Sequence, residues 1–248
     1  MAGIGLAGEL GAALTIESER VTATERAAAT TIVATLGVLG AVAAALAGKW
    51  LPRRSAYVVG GVMGLVLLAL RVRLGGLAMF ARVQSSGVRG GDVTRFFRSR
   101  RLALRYVRAV AIGMPVWFTT GVLITFAPEF AAALGIAGDV SAGRAVLVYY
   151  AVTTLGDLSS GLLNQRLRSR KRAVGVFDVV CAEAIALYLA GAARTAGAFY
   201  AVCGLLGSGA GFWAVMVTMA VEPFGTDLRA TAGTSVPRFV RATAVPMT

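Results

Sequence analysis

Four carboxylates stand inside otherwise apolar stretches of this chain: Glu9, Asp157, Asp178 and Glu183. An ionised side chain in hydrocarbon costs about 2.5 to 3.5 kcal/mol on insertion scales, so a carboxyl kept there is a functional candidate, and the chemistry within its reach is holding a proton. Glu9 lies ten residues before Glu19, and Glu183 ten residues after Ala173. At 1.5 Å per residue each sits about 15 Å from the end of its segment, near the middle of a bilayer. Both are proton-coupling candidates, and the alternative for each is a carboxyl hydrogen-bonded between helices. Asp178, five residues from its segment end, is a third candidate, with a solvated or locally bonded role as its alternative. Asp157 is six residues before Leu163 and close to Arg166 and Arg170, where it can close a cytoplasmic ion pair or balance arginines at a helix end.

The elements that must hold these groups are six stretches of mostly apolar residues: Ala28 to Gly48, Ser55 to Val72, Ala109 to Pro128, Ala145 to Leu163, Ala173 to Ala193 and Thr195 to Val221. Each is long enough to cross about 30 Å of hydrocarbon as a helix. Open sheet edges are excluded there because lipid satisfies no backbone group. With 57% hydrophobic and 15% charged residues, a soluble domain of this length would expose a large apolar surface. The expected class is therefore all-α: a multi-pass helical bundle whose first partner is the lipid bilayer.

The net charge of +13 invites a nucleic-acid reading, so the placement of the charges decides. Alternate loops fall on one side of the membrane, and one set of them holds 20 of the 25 Lys and Arg, with Arg71 to Arg108 at +9 and Arg166 to Arg172 at +5. The positive-inside rule makes that set cytoplasmic. Lys49, Arg53 and Arg54 fall on the other side, an exception the rule tolerates. The charge is topological, no nucleic-acid partner is expected, and the cell inner (plasma) membrane is the expected location. Arg95 to Arg108, with Phe96, Phe97 and Tyr106 interleaved, reads as an amphipathic helix on anionic inner-leaflet lipid.

Enzymatic chemistry finds little to work with. The chain has no histidine, and no H-E-x-x-H, G-x-S-x-G, C-x-x-C or paired acidic metal cluster appears on a loop. Gly3-Ile-Gly-Leu-Ala-Gly8 fits G-x-G-x-x-G without the strand and βαβ context a dinucleotide site needs. Cys181 and Cys203 lie inside apolar segments as small packed hydrophobes. No cofactor or metal is expected, and a membrane-embedded enzyme is the weaker alternative.

Gly3 to Ile16 is apolar and glycine-rich and reads as the inner part of a further membrane helix, while Ala242 to Thr248 reads as the start of another. The segment from Glu19 through Arg26 to Thr31 aligns without gaps on that from Glu222 through Arg229 to Thr234. Both copies follow a glycine-rich helix and six spans separate them, which returns them to the same face, as a parallel duplication of a six-helix unit requires.

With that duplication the chain resembles the major facilitator superfamily, in the broad neighbourhood of its sugar-porter and organic-acid symporter branches. Gly161-Leu-Leu-Asn-Gln165-Arg166-Leu-Arg168-Ser169-Arg170-Lys171-Arg172 is similar to the second-half copy of the family's loop signature, departing from it at Gln165, Arg168 and Ser169, where the family has Asp, Gly and Arg. The resemblance implies that residues 1–74 carry the end of the fourth helix and the fifth and sixth helices, that 75–106 are the basic cytoplasmic linker, and that 107–248 hold helices seven to ten and the start of the eleventh. It implies cytoplasmic charge clusters at Glu19/Arg26 and Glu222/Arg229, and a cavity whose wall includes Trp117, Thr119, Thr120, Phe212 and Trp213. Gly113-Met-Pro115-Val-Trp117 interrupts the first of the cavity helices, since proline removes a backbone hydrogen bond. The function implied is secondary transport of a small polar solute by alternating access, coupled to protons. The alternative is a remnant that does not transport, because a cavity built from two halves cannot close when most of one is missing.

Overall fold

The computed structural model describes residues 26–73, 93–224 and 226–247. Every regular element among them is helical: α1 (Arg26–Trp50), α2 (Arg53–Arg73), α3 (Thr94–Phe97), α4 (Arg100–Phe118) continuing into a π-helical turn (Thr119–Ile124), α5 (Ala127–Ala133), α6 (Ala142–Leu167), α7 (Arg170–Leu189), α8 (Ala196–Ala210), α9 (Trp213–Val221), α10 (Thr226–Ala242) and a closing 3₁₀ turn (Val245–Met247).

Three helices among the described residues are long and apolar enough to cross a membrane: Arg100–Ile124, Ala142–Leu167 and Ala196–Ala220, with mean hydropathies of 1.6, 1.3 and 1.6. They correspond to three of the six expected spans. Two shorter apolar helices, Thr35–Gly48 and Arg54–Leu70, fall where the first two were expected. The expected span from Ala173 to Ala193 lies in α7, whose first turn carries Arg170, Lys171 and Arg172 and whose body carries Asp178 and Glu183, so its hydropathy is diluted.

Two boundaries differ from the sequence reading for a physical reason. The helix expected to begin at Ala109 already begins at Arg100, so most of the expected surface helix is the first turns of α4. There Tyr106 is buried while Arg101, Arg105 and Arg108 stay outside. Glu222 to Arg241, read as a loop, is largely α10. Its buried residues Leu228, Thr231, Ala232, Ser235, Val236 and Val240 recur every three to four positions, one stripe of a helix that packs against α4 and α9. Its interspersed polar residues hide that stripe from a search for long apolar runs.

The helix α6 is the centre of the bundle, touching α1, α7, α8 and α9. Its crossing with α8 is very close: a Cβ on Gly207 would lie 2.3 Å from the Tyr149 carbonyl oxygen, and one on Gly211 would lie 2.4 Å from Gly156 Cα. Small residues at such crossings let backbones meet, which is how helices associate where lipid offers no hydrophobic drive. The helix α2 differs, since Tyr57 to Leu70 are exposed all round and almost wholly apolar. A surface of that kind suits lipid, not water.

Contacts at the two ends respect the sidedness read from the charges. At one end Ala137 bridges Thr195, with the Ala137 N–H donating to Arg194 O (3.0 Å) and the Ala196 N–H to Ala137 O (2.9 Å). At the other, Arg105 donates to Pro223 O at 3.0 Å and Arg170 pairs with Glu222. Two of the three loops expected outside thus meet each other, and the arginine-rich loops meet the α9–α10 connection.

Candidate functional site

The wall of the site begins with the irregular stretch of α4. Pro115 has no N–H to give, and one turn later the chain winds as a π-helix, whose extra residue per turn shifts the register of the side chains. The consecutive residues Thr119 and Thr120 both donate to the Val116 carbonyl at 2.8 Å, and both hydroxyls lie against Tyr149 of α6, at 3.2 and 2.7 Å. With both threonine protons committed to Val116, the Tyr149 proton goes to the nearer oxygen, that of Thr120. Tyr188 of α7 donates to Leu123 O at 2.8 Å and Thr125 to Thr120 O at 2.8 Å, so carbonyls displaced by the register shift find side-chain donors. The expected interruption at Pro115 therefore takes the form of a π-turn just beyond it, of the kind that recurs at functional sites.

Above this hydroxyl cluster, Trp117 meets Trp213 edge to face with ring centroids 6.0 Å apart, and the Arg241 guanidinium stacks over Trp117 at 4.4 Å. The Trp117 indole N–H is enclosed and finds no acceptor among the described residues. Of the five residues expected on a wall, Trp117 of α4 thus meets Trp213 of α9, while Thr119 and Thr120 of the π-turn meet Tyr149 of α6. The fifth, Phe212, is not on the wall: it is fully buried and packs towards Phe177, with centroids 6.3 Å apart. Tyr149 and Arg241 were missed. The tyrosine is an ordinary apolar-segment residue until the π-turn aims two hydroxyls at it, and the arginine was assigned to a loop.

The second feature is the break between α8 and α9 at Gly211 and Phe212, inside one apolar span. Asp157 is fully buried beside it and faces the backbone N–H groups of Trp213 and Ala214, the first residues of α9. Both carboxyl oxygens fall short of hydrogen-bond geometry. The expected cytoplasmic ion pair of Asp157 with Arg166 or Arg170 is not formed, because α6 runs on to Leu167 and so places Asp157 ten residues inside the helix. Arg166 is exposed, and Arg170 pairs with Glu222 instead.

The remaining candidates separate. Asp178 is half-buried, and its Oδ1 is enclosed without a hydrogen-bond partner among the described residues. Glu183 is on the exposed face of α7, away from the position between helices that either of its readings needs. Glu9 and Glu19 lie outside the described residues, and only the backbone of Arg26 and Arg229 is described. Among the described residues no group of acidic and cysteine side chains is placed to hold a metal ion.

Compared with protein-family models, with curated proteins and with solved structures, the chain matches none. What it does therefore rests on this geometry.

At the arginine-rich end, Asn164, Gln165, Arg168, Ser169, Arg170, Lys171, Met219 and Glu222 line an open cleft of about 540 Å³. Arg168 turns the chain there with φ of 47°, the left-handed region that favours glycine.

Proposed function

We propose that this chain belongs to a secondary transporter of the major facilitator type, in the inner membrane, which moves a small polar solute by alternating access coupled to protons. The observation that carries the reading is Asp157: a fully buried carboxyl at the mouth of a half-helix, inside an apolar span, with no ion pair among the described residues. A lone buried carboxyl that must stay there is a place to pick up and release a proton, and a half-helix opening in mid-membrane is a recurring way to hold charge in transporters. Asp157 thus takes the coupling role, and Asp178 is the second candidate. The Arg170–Glu222 pair and the Arg105–Pro223 bond tie α4, α7 and the α9–α10 connection together at the arginine-rich end. Their making and breaking would be one of the alternating states.

The test places Asp157→Asn at the chromosomal locus and follows acid-driven uptake over a panel of labelled solutes in membrane vesicles of the source cell. Wild type should accumulate one of them above equilibrium, and the asparagine variant should equilibrate it without accumulation. Accumulation that the substitution leaves unchanged would remove Asp157 from coupling. A wild type that takes up nothing would favour the non-transporting alternative.

A further inference from the structure

We infer that the cleft at the arginine-rich end binds a phosphate group, gripped by Arg168 and Lys171 with the side-chain amides of Asn164 and Gln165 beside them. The site does not depend on the transport reading and needs only the cleft and the helices that form it.

Its walls are brought together by a sharp turn. The helix α6 ends at Leu167 and α7 begins at Arg170, so the last turn of one helix and the first turn of the next supply the two sides. Met219 of α9, partly buried, adds an apolar patch to the lining. Arg170 is already paired with Glu222, which braces one side of the cleft against the end of α9. Gln165, Arg168 and Lys171 are exposed and stand at its opening.

The kinds of donor select the ligand. A flat carboxylate is satisfied by one guanidinium fork, whereas the oxygens of a phosphate point in several directions and take a fork, an ammonium and amide N–H groups together. Donors of all three kinds line this cleft, Arg168, Asn164 and Gln165 from the α6 side and Lys171 from α7. A volume of about 540 Å³ leaves room for the phosphate and the group it is esterified to.

Two carriers could bring a phosphate here, a lipid headgroup and a free phosphate, and the depth of the cleft favours the lipid. Leu167 closes a helix long and apolar enough to cross a membrane, which sets the cleft where headgroups begin. Basic pockets between membrane helices at that level take anionic phospholipid headgroups. Away from the cleft, Leu155, Leu158 and Leu162 stand exposed at helical spacing along α6, and Gln165 continues their stripe to its mouth. A phospholipid with its phosphate in the cleft would lay an acyl chain along those leucines, while a free phosphate would use the cleft alone.

The experiment is native mass spectrometry of the full chain in detergent. It compares the first bound molecule of phosphatidylglycerol with that of phosphatidylcholine of the same acyl chains, whose choline cation meets like charge in the cleft. Two basic side chains at a membrane surface correspond to a preference of about thirtyfold for the anionic lipid, and Arg168→Gly and Lys171→Gln should each reduce it about fivefold. Arg168→Lys should keep most of it. Glycine suits the φ of 47° at this position, so a preference lost in Arg168→Gly with the thermal midpoint undiminished separates lost charge from lost fold. Inorganic phosphate is then added as competitor. Phosphatidylglycerol that stays bound at an equal concentration of phosphate assigns the site to the lipid, and displacement assigns it to the free anion; both uphold a phosphate site. Equal binding of the two lipids, or a preference that survives both substitutions, would overturn the inference.

Discussion

Replacing Gly207 by alanine tests the helix crossing on which the whole site is built. The new methyl would start 2.3 Å from the Tyr149 carbonyl oxygen, 3.1 Å from Thr153 Oγ1 and 3.2 Å from Thr153 N. Two of these are backbone atoms inside α6, so the clash is relieved by moving helices apart by about 1 Å, not by turning a side chain. Overpacking of this kind costs about 1 to 3 kcal/mol. Alanine also favours a helix over glycine by about 1 kcal/mol, which acts in the opposite direction. Gly175→Ala is the internal control, because nothing lies within 4 Å of its Cβ position and only the helix preference operates. The difference between the two variants isolates the packing cost, and at about 2 to 4 °C per kcal/mol for a chain of this size it corresponds to about 2 to 12 °C in midpoint. Cys181 and Cys203 are both free and buried, so a thiol-reactive dye reports unfolding in detergent without added labels. Gly207→Ala melting with or above Gly175→Ala would refute the close crossing of α6 and α8.

Two further outcomes follow from local geometry. Arg168→Gly should raise the same midpoint, by an amount equivalent to about 1 kcal/mol, because glycine adopts the positive φ of this helix end without the steric cost a side chain meets. An unchanged or lowered midpoint would mean that the Arg168 side chain contributes more than its backbone costs. Tyr149→Phe should lower the midpoint by the equivalent of about 1 kcal/mol, the net value of one hydrogen bond, since Thr119 and Thr120 keep Val116 as acceptor. A loss several times larger would show that the threonine hydroxyls depend on the tyrosine.

Residue spacing made the helical class readable, because runs of apolar residues at helix length are a property of the chain alone. Of the residues the resemblance offers for a cavity wall, Trp117 and Trp213 touch each other, and Thr119 and Thr120 both reach Tyr149. What residue spacing missed depends on register and depth. A π-turn is invisible in a residue list, so Tyr149 could not be recognised as the partner of two adjacent threonines. The polar residues of α10 broke its apolar run, so its stripe was read as a loop and Arg241 as a flanking charge. Asp157 was placed near the cytoplasm because the apolar segment was ended at Leu163, whereas Asn164 to Leu167 extend the helix. The resemblance puts Phe212 on the wall with Trp213, but at the break after α8 Phe212 is fully buried towards Phe177 while Trp213 meets Trp117. Glu183 was judged by depth alone, and depth does not say which face of α7 it occupies.

The central claim is that the arginine-rich loops and the Leu134 to Ser141 loop lie on opposite sides of a bilayer. Ser99→Cys and Asp139→Cys put one reactive thiol on each, at positions exposed in the fold, while Cys181 and Cys203 stay enclosed. A membrane-impermeant maleimide applied to right-side-out and inverted vesicles should label Asp139→Cys only in the first and Ser99→Cys only in the second. Labelling of both from one side, or release of the protein from the membrane without detergent, would contradict the account.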